Sequence, residues 1–362
     1  MKRLLCIVSA MNTGGAETFL MKMYRAIDRE QYQMDFLVNA EENYYGNEIL
    51  ALGGKIYHVP AKSKDIWGWY RGTKRIVREN GYRYVIRVCE HSLAAMDLLV
   101  AKWAGADHLI MRSSNAASGS LKSVFVHKMF RFLAQSVPTV KLAPSTEAAE
   151  YTFGKGCVAR GEVVLLHNAL DTDIFRFDPI GRERVRKEFD IDNRFVIGHV
   201  GRFNQQKNHN FLLDVFNEIV KQNPKAVLVL VGKGELEDAV RQKVKKLGLQ
   251  DYVIFAGIRK DIPQVMSAFD VFAFPSFYEG MPNTVIEAQA TGLPCIVSDT
   301  ITQEANVTGL VHYLPLGNAG CWASCMEKFA GTTRIDTKGL FFVKQYDIAS
   351  QVKAFTEYVF GK

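Results

Sequence analysis

In the second half of the chain, four side chains have the types and spacing to manage a departing diphosphate. Arg202 and Lys207 fall in one turn, and Glu279 and Glu287 bracket another. The run Ile197-Gly198-His199-Val200-Gly201-Arg202-Phe203-Asn204-Gln205-Gln206-Lys207-Asn208 reads as a buried strand followed by a turn that Gly201 opens. Arginine presents a planar fork to phosphate oxygens and lysine a mobile point charge, so together they can neutralise a leaving diphosphate. An ordinary solvated turn has the same composition, and the pair alone does not separate the two readings.

The most informative stretch is Phe274-Pro275-Ser276-Phe277-Tyr278-Glu279-Gly280-Met281-Pro282-Asn283-Thr284-Val285-Ile286-Glu287-Ala288. A strand ends at Pro275, a loop carries Glu279 and Gly280, and Pro282 stands where a first helical residue is favoured. Backbone N–H groups of Gly280, Met281, Asn283 and Thr284 then gather at a helix N-terminus, an anion site for a diphosphate or a partner for sugar hydroxyls. Carboxylates repel phosphate, so Glu279 and Glu287 make sense as acceptors from hydroxyls or as partners of positive charge. The plain alternative is that Glu279 caps the helix and Glu287 lies on its face.

A third element, Asn12-Thr13-Gly14-Gly15-Ala16-Glu17, follows the first strand and opens a helix. Only the adjacent glycines are present, not the dinucleotide G-x-G-x-x-G pattern. Gly15 permits close approach of the backbone to a ligand, although a tight strand-to-helix turn uses the same residues.

These elements need a scaffold, and short apolar runs alternating with helical patterns supply it. Residues 4–9, 34–38, 84–88, 109–111, 140–143 and 163–166 read as strands separated by helices, which implies a parallel sheet covered on both faces. A charged stretch at 176–192 opens a second unit, and the alternation restarts at 195–200, 226–231, 253–255, 271–274 and 295–298. At 362 residues the chain exceeds what one core usually supports. The expectation is therefore an α/β protein of two Rossmann-like domains, 1–175 and 176–345, with an amphipathic helix at 346–362 that packs back on the first. Ligands of open parallel sheets lie beyond the carboxyl ends of the strands, so the chemistry is expected in a cleft across which the two sheets face.

Taken in order, Gly14-Gly15-Ala16-Glu17, Asn168-Ala169-Leu170-Asp171, Gly201-Arg202 with Lys207-Asn208, and Glu279 through Glu287 resemble the family 4 retaining glycosyltransferases of the two-Rossmann-lobe (GT-B) class, especially those of bacterial exopolysaccharide, capsule and lipopolysaccharide assembly. The resemblance covers nearly the whole chain. It implies that Arg202 and Lys207 hold the donor diphosphate, Glu287 the ribose hydroxyls, and Glu279 with the backbone of 280–283 the donor sugar. Gly257-Ile258-Arg259 looks like the family's base-contacting loop, which acts through main-chain groups, with uridine the commonest base. His91 matches a family histidine at a strand end, with a satisfied structural histidine as its other reading. Many relatives carry His-x-His-Asn where this chain has Met111-Arg112-Ser113-Ser114-Asn115, which leaves Arg112 or Asn115 to take the acceptor-side role.

No metal or other cofactor is expected: the string Asp171-Thr172-Asp173 lies at the connection between the domains, and Arg202 and Lys207 already supply cationic charge. The six cysteines are scattered and suit reduced thiols. The apolar run after Met1-Lys2-Arg3 leads straight into a glycine turn, as a first buried strand does, and nothing approaches the roughly 20 residues of a membrane span. A cytoplasmic protein is expected. The net charge of +7 is unevenly spread. Residues 55–87 are rich in Lys and Arg interleaved with Trp67, Trp69, Tyr70, Tyr82 and Tyr84, and 108–146 contain no acid. Such a surface either docks on anionic lipid at the inner face of the cell membrane or is a solvated face. Nucleic acid is not an expected partner, because no recognised motif accompanies the charge. The expected partners are a nucleotide-sugar donor and a glycan or lipid-linked acceptor. The rival readings are a nucleotide-sugar epimerase of similar fold, a dinucleotide-dependent oxidoreductase, and a silent sugar-nucleotide-binding subunit.

Overall fold

The computed structural model describes residues 1–12, 14–41, 43–89, 91–114 and 121–361, with 121–123 described by backbone alone. The chain forms two compact units, residues 1–169 with 348–362, and residues 170–347.

In the first unit, β1 (Lys2–Ile7), α1 (Gly15–Ala26), β2 (Tyr32–Val38), α2 (Gly46–Ala51), β3 (Ile56–His58), α3 (Ile66–Glu79), β4 (Tyr84–Cys89), α4 (Ala95–Trp103), β5 (His108–Ser113), α5 (Leu121–Ser136), β6 (Val140–Ala143), α6 (Thr146–Phe153) and β7 (Val164–Leu165) follow one another. The sheet is wholly parallel, in the order β3-β2-β1-β4-β5-β6-β7. Its central strands bury both faces: Leu5 and Val85 look into one core, Leu4 and Ile86 into the other. Continuous apolar runs rather than alternating ones follow from that double burial.

The second unit contains α7 (Pro179–Phe189), β8 (Phe195–Val200), α8 (His209–Gln222), β9 (Ala226–Val231), α9 (Glu237–Lys246), β10 (Val253–Gly257), α10 (Ile262–Ala268), β11 (Val271–Phe274), α11 (Asn283–Ala290), β12 (Cys295–Ser298), β13 (Val311–Leu314), α12 (Ala319–Glu327) and α13 (Lys338–Val343). Its parallel sheet runs β10-β9-β8-β11-β12-β13. Asp178 accepts from Gly181 N ahead of Pro179 to start α7, and Asn208, at φ 55°, caps α8 by accepting from Phe211 N. Both units are therefore Rossmann-like, as the strand-helix alternation implied. Strands β3 and β13 lay outside the sequence reading. Both are short edge strands whose positions, Val311 apart, are half-buried or exposed, so neither leaves a clear apolar run.

The last helix, α14 (Ile348–Phe360), belongs to the first unit. Phe355 meets Phe19 edge to face at 6.1 Å, Phe360 stacks on Tyr32 at 4.5 Å, and Lys2 Nζ donates to Phe360 O at 2.6 Å.

Each sheet has one place where the strand order reverses, between β1 and β4 in the first and between β8 and β11 in the second. At such a switch point the loops beyond the carboxyl ends part and leave a crevice. Of the candidate residues, Gly15 and His91 flank the first switch, while Gly201, Arg202, Lys207 and 279–284 flank the second.

Candidate functional site

The turn after β8 is held to the end of β9 and by the side chain of Asn204. Gly201 N donates to Val231 O at 2.9 Å, Phe203 N to Lys233 O at 3.1 Å, and Lys207 N to Asn204 Oδ1 at 3.1 Å. Gly201 and Gly232 are required here. A Cβ on Gly201 would lie 2.9 Å from His199 Nε2 and 3.3 Å from the Lys207 stem, and one on Gly232, at φ 133°, would lie 2.1 Å from Gly201 O.

The loop after β11 is tied to this turn. Phe277 N donates to Gln206 O at 2.9 Å and Gln206 Nε2 to Tyr278 O at 2.8 Å. The tie brings Lys207 Nζ to 2.7 Å from Glu279 Oε1, with the two side chains only 16% and 12% exposed. Lys207 Nζ also stands 4.5 Å over the Phe274 ring, whose π-face favours a cation.

Helix α11 starts at Asn283 with Pro282 as its cap residue and no side-chain cap. At the same end Asn283 Oδ1 and Thr284 Oγ1, and in the preceding loop Ser276 Oγ, are buried with no hydrogen-bond partner. Three such atoms at one loop and helix start are open to hydrogen bonds from a further group. Gly280 and Met281 are buried just before the helix, and Glu287, half-buried, sits one turn along it from Asn283.

Arg202 stands apart from this pair. Its side chain is 70% exposed and reaches Glu235 at 3.2 Å. A surface pair of this kind contributes about 0–1 kcal/mol, so releasing Arg202 toward an anion costs little. Ile258 is exposed, whereas the Arg259 guanidinium is gripped by Glu188 and by Asp261, the latter at 2.8 Å. These carboxylates raise its pKa, and what Gly257-Ile258-Arg259 can still offer a ligand is main chain.

Two buried histidines lie behind Lys207, and the sequence reading passed over both. His199 bonds Ala273 O through Nδ1 at 2.8 Å and meets the His209 ring edge-on at 4.7 Å, while His209 stacks on Phe203 at 4.2 Å. Burial, with Lys207 nearby, pushes His209 down to about 4 and His199 well below the usual imidazole range. Both rings are neutral spacers beneath the ammonium.

In the first unit a cavity of about 630 Å³ opens beyond β1 and β4, lined among others by Ser9, Glu17, Lys62, Arg87, His91 and Ser114. His91 Nδ1 accepts from Leu93 N at 3.2 Å, which puts the proton of the neutral ring on Nε2. Asp97, 2% exposed, accepts from Lys62 Nζ at 2.7 Å, Arg87 Nε at 2.9 Å and Trp69 Nε1 at 2.9 Å, and so fixes two cations in the wall. The signal for that trio was an acid within the apolar run Ala95-Met96-Asp97-Leu98-Leu99. Gly15 opens α1 at the same rim.

Arg112 requires a correction. It is 1% exposed, with its guanidinium 3.6 Å over the Phe19 ring and donating to Leu166 O at 3.1 Å and Asn168 Oδ1 at 2.7 Å. Burial lowers its pKa to about 9. A group so enclosed braces the core and does not meet an acceptor. Asn115 lies outside the described residues. Asp171 Oδ1 accepts from the N–H groups of Asp173 and Ile174, and Asp173 pairs with Lys338 at 2.5 Å, so the Asp-x-Asp string serves a local turn and a surface ion pair.

Comparison with known proteins bears on the family and the fold. Residues 194–330 match the family described as glycosyl transferases group 1. EpsF of Bacillus subtilis (strain 168), which bears a glycosyltransferase name, is 34% identical over 347 residues, covering 92% of this chain and 89% of its own. The UDP-Gal:alpha-D-GlcNAc-diphosphoundecaprenol alpha-1,3-galactosyltransferase of Escherichia coli is 34% identical over 185 residues, 49% of this chain and 47% of that protein. Among solved structures, Anabaena Alr3699/HepE in complex with UDP and glucose superposes with a TM-score of 0.77 at 18% identity, over 99% of this chain and 95% of that one.

Proposed function

Because this chain belongs to the group 1 glycosyl transferases and has their GT-B fold, we propose that it transfers a sugar from a UDP-linked donor to a glycan or lipid-linked acceptor in cell-surface polysaccharide assembly, with retention at the anomeric carbon as in family 4. The observation that carries this reading is the Lys207–Glu279 pair at the β8/β11 switch point, beside a helix start with unpartnered polar atoms. UDP as the sugar carrier is supported by the bound ligand of the Anabaena structure, and a diphosphate-lipid acceptor by the name of the Escherichia coli relative.

In this reading the leaving diphosphate takes Lys207 from Glu279 and draws Arg202 off Glu235. The two cations absorb the charge that grows as the anomeric carbon gains oxocarbenium character. Glu279, with Asn283 and Thr284, receives the hydroxyls of the donor sugar, Glu287 the ribose, and the main chain of Gly257-Ile258-Arg259 the base. The donor phosphate accepts the proton of the incoming acceptor hydroxyl on the same face, and His91 borders the acceptor cavity. Arg202 and Lys207 fill the electrostatic role of a divalent ion, so the reaction proceeds without metal. A lipid-linked acceptor places the chain at the inner face of the membrane as a peripheral protein, and no helix among the described residues is long and apolar enough to cross one.

The test is turnover of a panel of UDP- and GDP-sugars by the purified chain, with and without acceptor and with a chelator, and anomeric analysis of the product. Transfer that retains configuration and survives chelation is expected. Conversion of the donor to its epimer without any acceptor would identify an epimerase, and inversion at the anomeric carbon of the transfer product would end the family 4 reading.

A further inference from the structure

The cavity at the first switch point is walled by more positive charge than its own carboxylates neutralise. Lys62 Nζ and Arg87 Nε both reach the same oxygen of Asp97, Oδ2, at 2.7 Å and 2.9 Å, while Trp69 Nε1 takes Oδ1 at 2.9 Å. One carboxylate balances one cation, so the trio keeps a net positive charge. Asp97 is buried, and it is the two cations that line the cavity. Glu17 is the one acid among the described lining residues, and its carboxylate is turned back over the start of α1: a Cβ on Gly14 would lie 2.4 Å from Glu17 Oε2.

Both cations are fixed before any ligand arrives. Arg87 Nη1 donates to Ile7 O at 3.0 Å and to Val88 O at 2.7 Å, which lays the guanidinium across β1 and β4 where the strand order reverses. Its Nε is engaged by Asp97, and among the described residues Nη2 donates to no protein group. Lys62 Nζ stands 4.7 Å over the Trp69 ring. The Arg87 and Lys62 side chains remain 15% and 25% exposed, so each can still meet a ligand. Burial lowers the Lys62 pKa although Asp97 opposes it, and the charge of Arg87 adds to the lowering. A second anion beside the pair would oppose both.

We infer that this cavity selects acceptors that carry an oxyanion, a phosphate or a carboxylate, seated on Arg87 Nη2 and Lys62 Nζ. The inference rests on the transferase reading above and names the chemical class of its acceptor. A guanidinium edge and an ammonium held on one carboxylate oxygen suit the oxygens of either group. The volume of about 630 Å³ lies in the range of small-molecule sites and admits a sugar together with the group that charges it. His91 and Ser114 on the same wall offer polar edges to hydroxyls. A neutral saccharide would enter without compensating the excess charge, whereas an oxyanion gains hydrogen bonds about twice as strong as neutral ones. If the cations served Asp97 alone, one of them together with Trp69 would satisfy it.

The experiment is saturation-transfer NMR of the full chain in excess UDP, titrated with glucose 1-phosphate, methyl glucuronide or methyl glucoside, beside calorimetry with UDP. Binding of glucose 1-phosphate or of the glucuronide about tenfold or more tighter than that of the glucoside is expected, and the tighter of the two tells phosphate from carboxylate. Lys62→Met should erase most of this preference while the heat of UDP binding persists, and Lys62→Arg should restore it. Arg87→Lys, which keeps a cation on Asp97 but loses Nη2, gives an independent reading and should weaken the same preference. No binding of either charged sugar, equal binding of all three, or a preference that Lys62→Met and Arg87→Lys leave unchanged would overturn the inference. A preference of the expected kind without any UDP heat would instead sink the transferase reading and leave the selectivity of the cavity standing.

Discussion

Lys207 and Glu279 lie 72 positions apart in the chain, yet Nζ and Oε1 meet at 2.7 Å because β8 and β11 are neighbours in the second sheet. The pairing converts two isolated motifs into one site, since each loop ends on a partner supplied by the other. It also sets the electrostatics of the resting protein: the Lys207 ammonium is held by a carboxylate, and under the proposed function it is this pair that an arriving diphosphate would open.

Replacing Lys207 by alanine should lower transfer by about two to three powers of ten, the scale of losing one charge stabiliser at a leaving group. UDP affinity, read by calorimetry, should fall with it, while the circular dichroism spectrum stays unchanged. Transfer within a factor of two of the parent would remove Lys207 from the reaction.

Thr284→Val separates binding from folding. Thr284 Oγ1 is buried and without a partner, so removing it sacrifices no hydrogen bond in the free protein, and urea stability should be unchanged or higher. If that hydroxyl serves the donor, the specificity constant for donor should drop about tenfold, as for one lost hydrogen bond. A fall in stability with unaltered kinetics would assign Thr284 to the scaffold.

His199 and His209 give the second unit a defined acid response. Both folded pKa values lie below the ordinary 6.5, that of His209 at about 4, so between those limits the unfolded chain binds more protons. Stability is therefore complete above pH 6.5 and declines as pH falls toward 4, by at most about 1.4 kcal/mol per pH unit for each ring. His209→Phe preserves the stack on Phe203 and should flatten that decline in urea titrations at pH 7 and pH 5. An identical slope in the variant would mean that other groups govern it.

Arg112→Ala should destabilise the first unit by about 3 kcal/mol or more, because it empties a filled site over Phe19 and removes the bonds to Leu166 O and Asn168 Oδ1. At a temperature where the variant is folded, its Michaelis constant for acceptor should match the parent's. A raised constant with unchanged stability would restore the acceptor role.

What the sequence disclosed was periodicity and local chemistry. The runs 195–200 and 226–231 are apolar throughout because both faces of the sheet are covered, and Pro282 marks a helix start because its ring fixes φ. Contacts set by strand order were not legible. Nothing local in Arg112 shows that Phe19 and Asn168 will enclose it, and nothing in Lys62 or Arg87 points to Asp97. His199 and His209 escaped notice for the opposite reason, since each sits in an apolar pattern that a neutral ring satisfies as well as a phenylalanine would.

The placement of α14 bears on the order in which the molecule assembles. Residues 170–347 are one uninterrupted stretch and contain every strand of their own sheet. The first unit, although translated first, lacks Phe355, Val359 and Phe360 until the whole of the second has emerged. During synthesis the earlier sheet is thus left with an apolar flank uncovered while the later one can already close. A chain truncated after Asp347 should accordingly present a protease-resistant second unit attached to a protease-sensitive first.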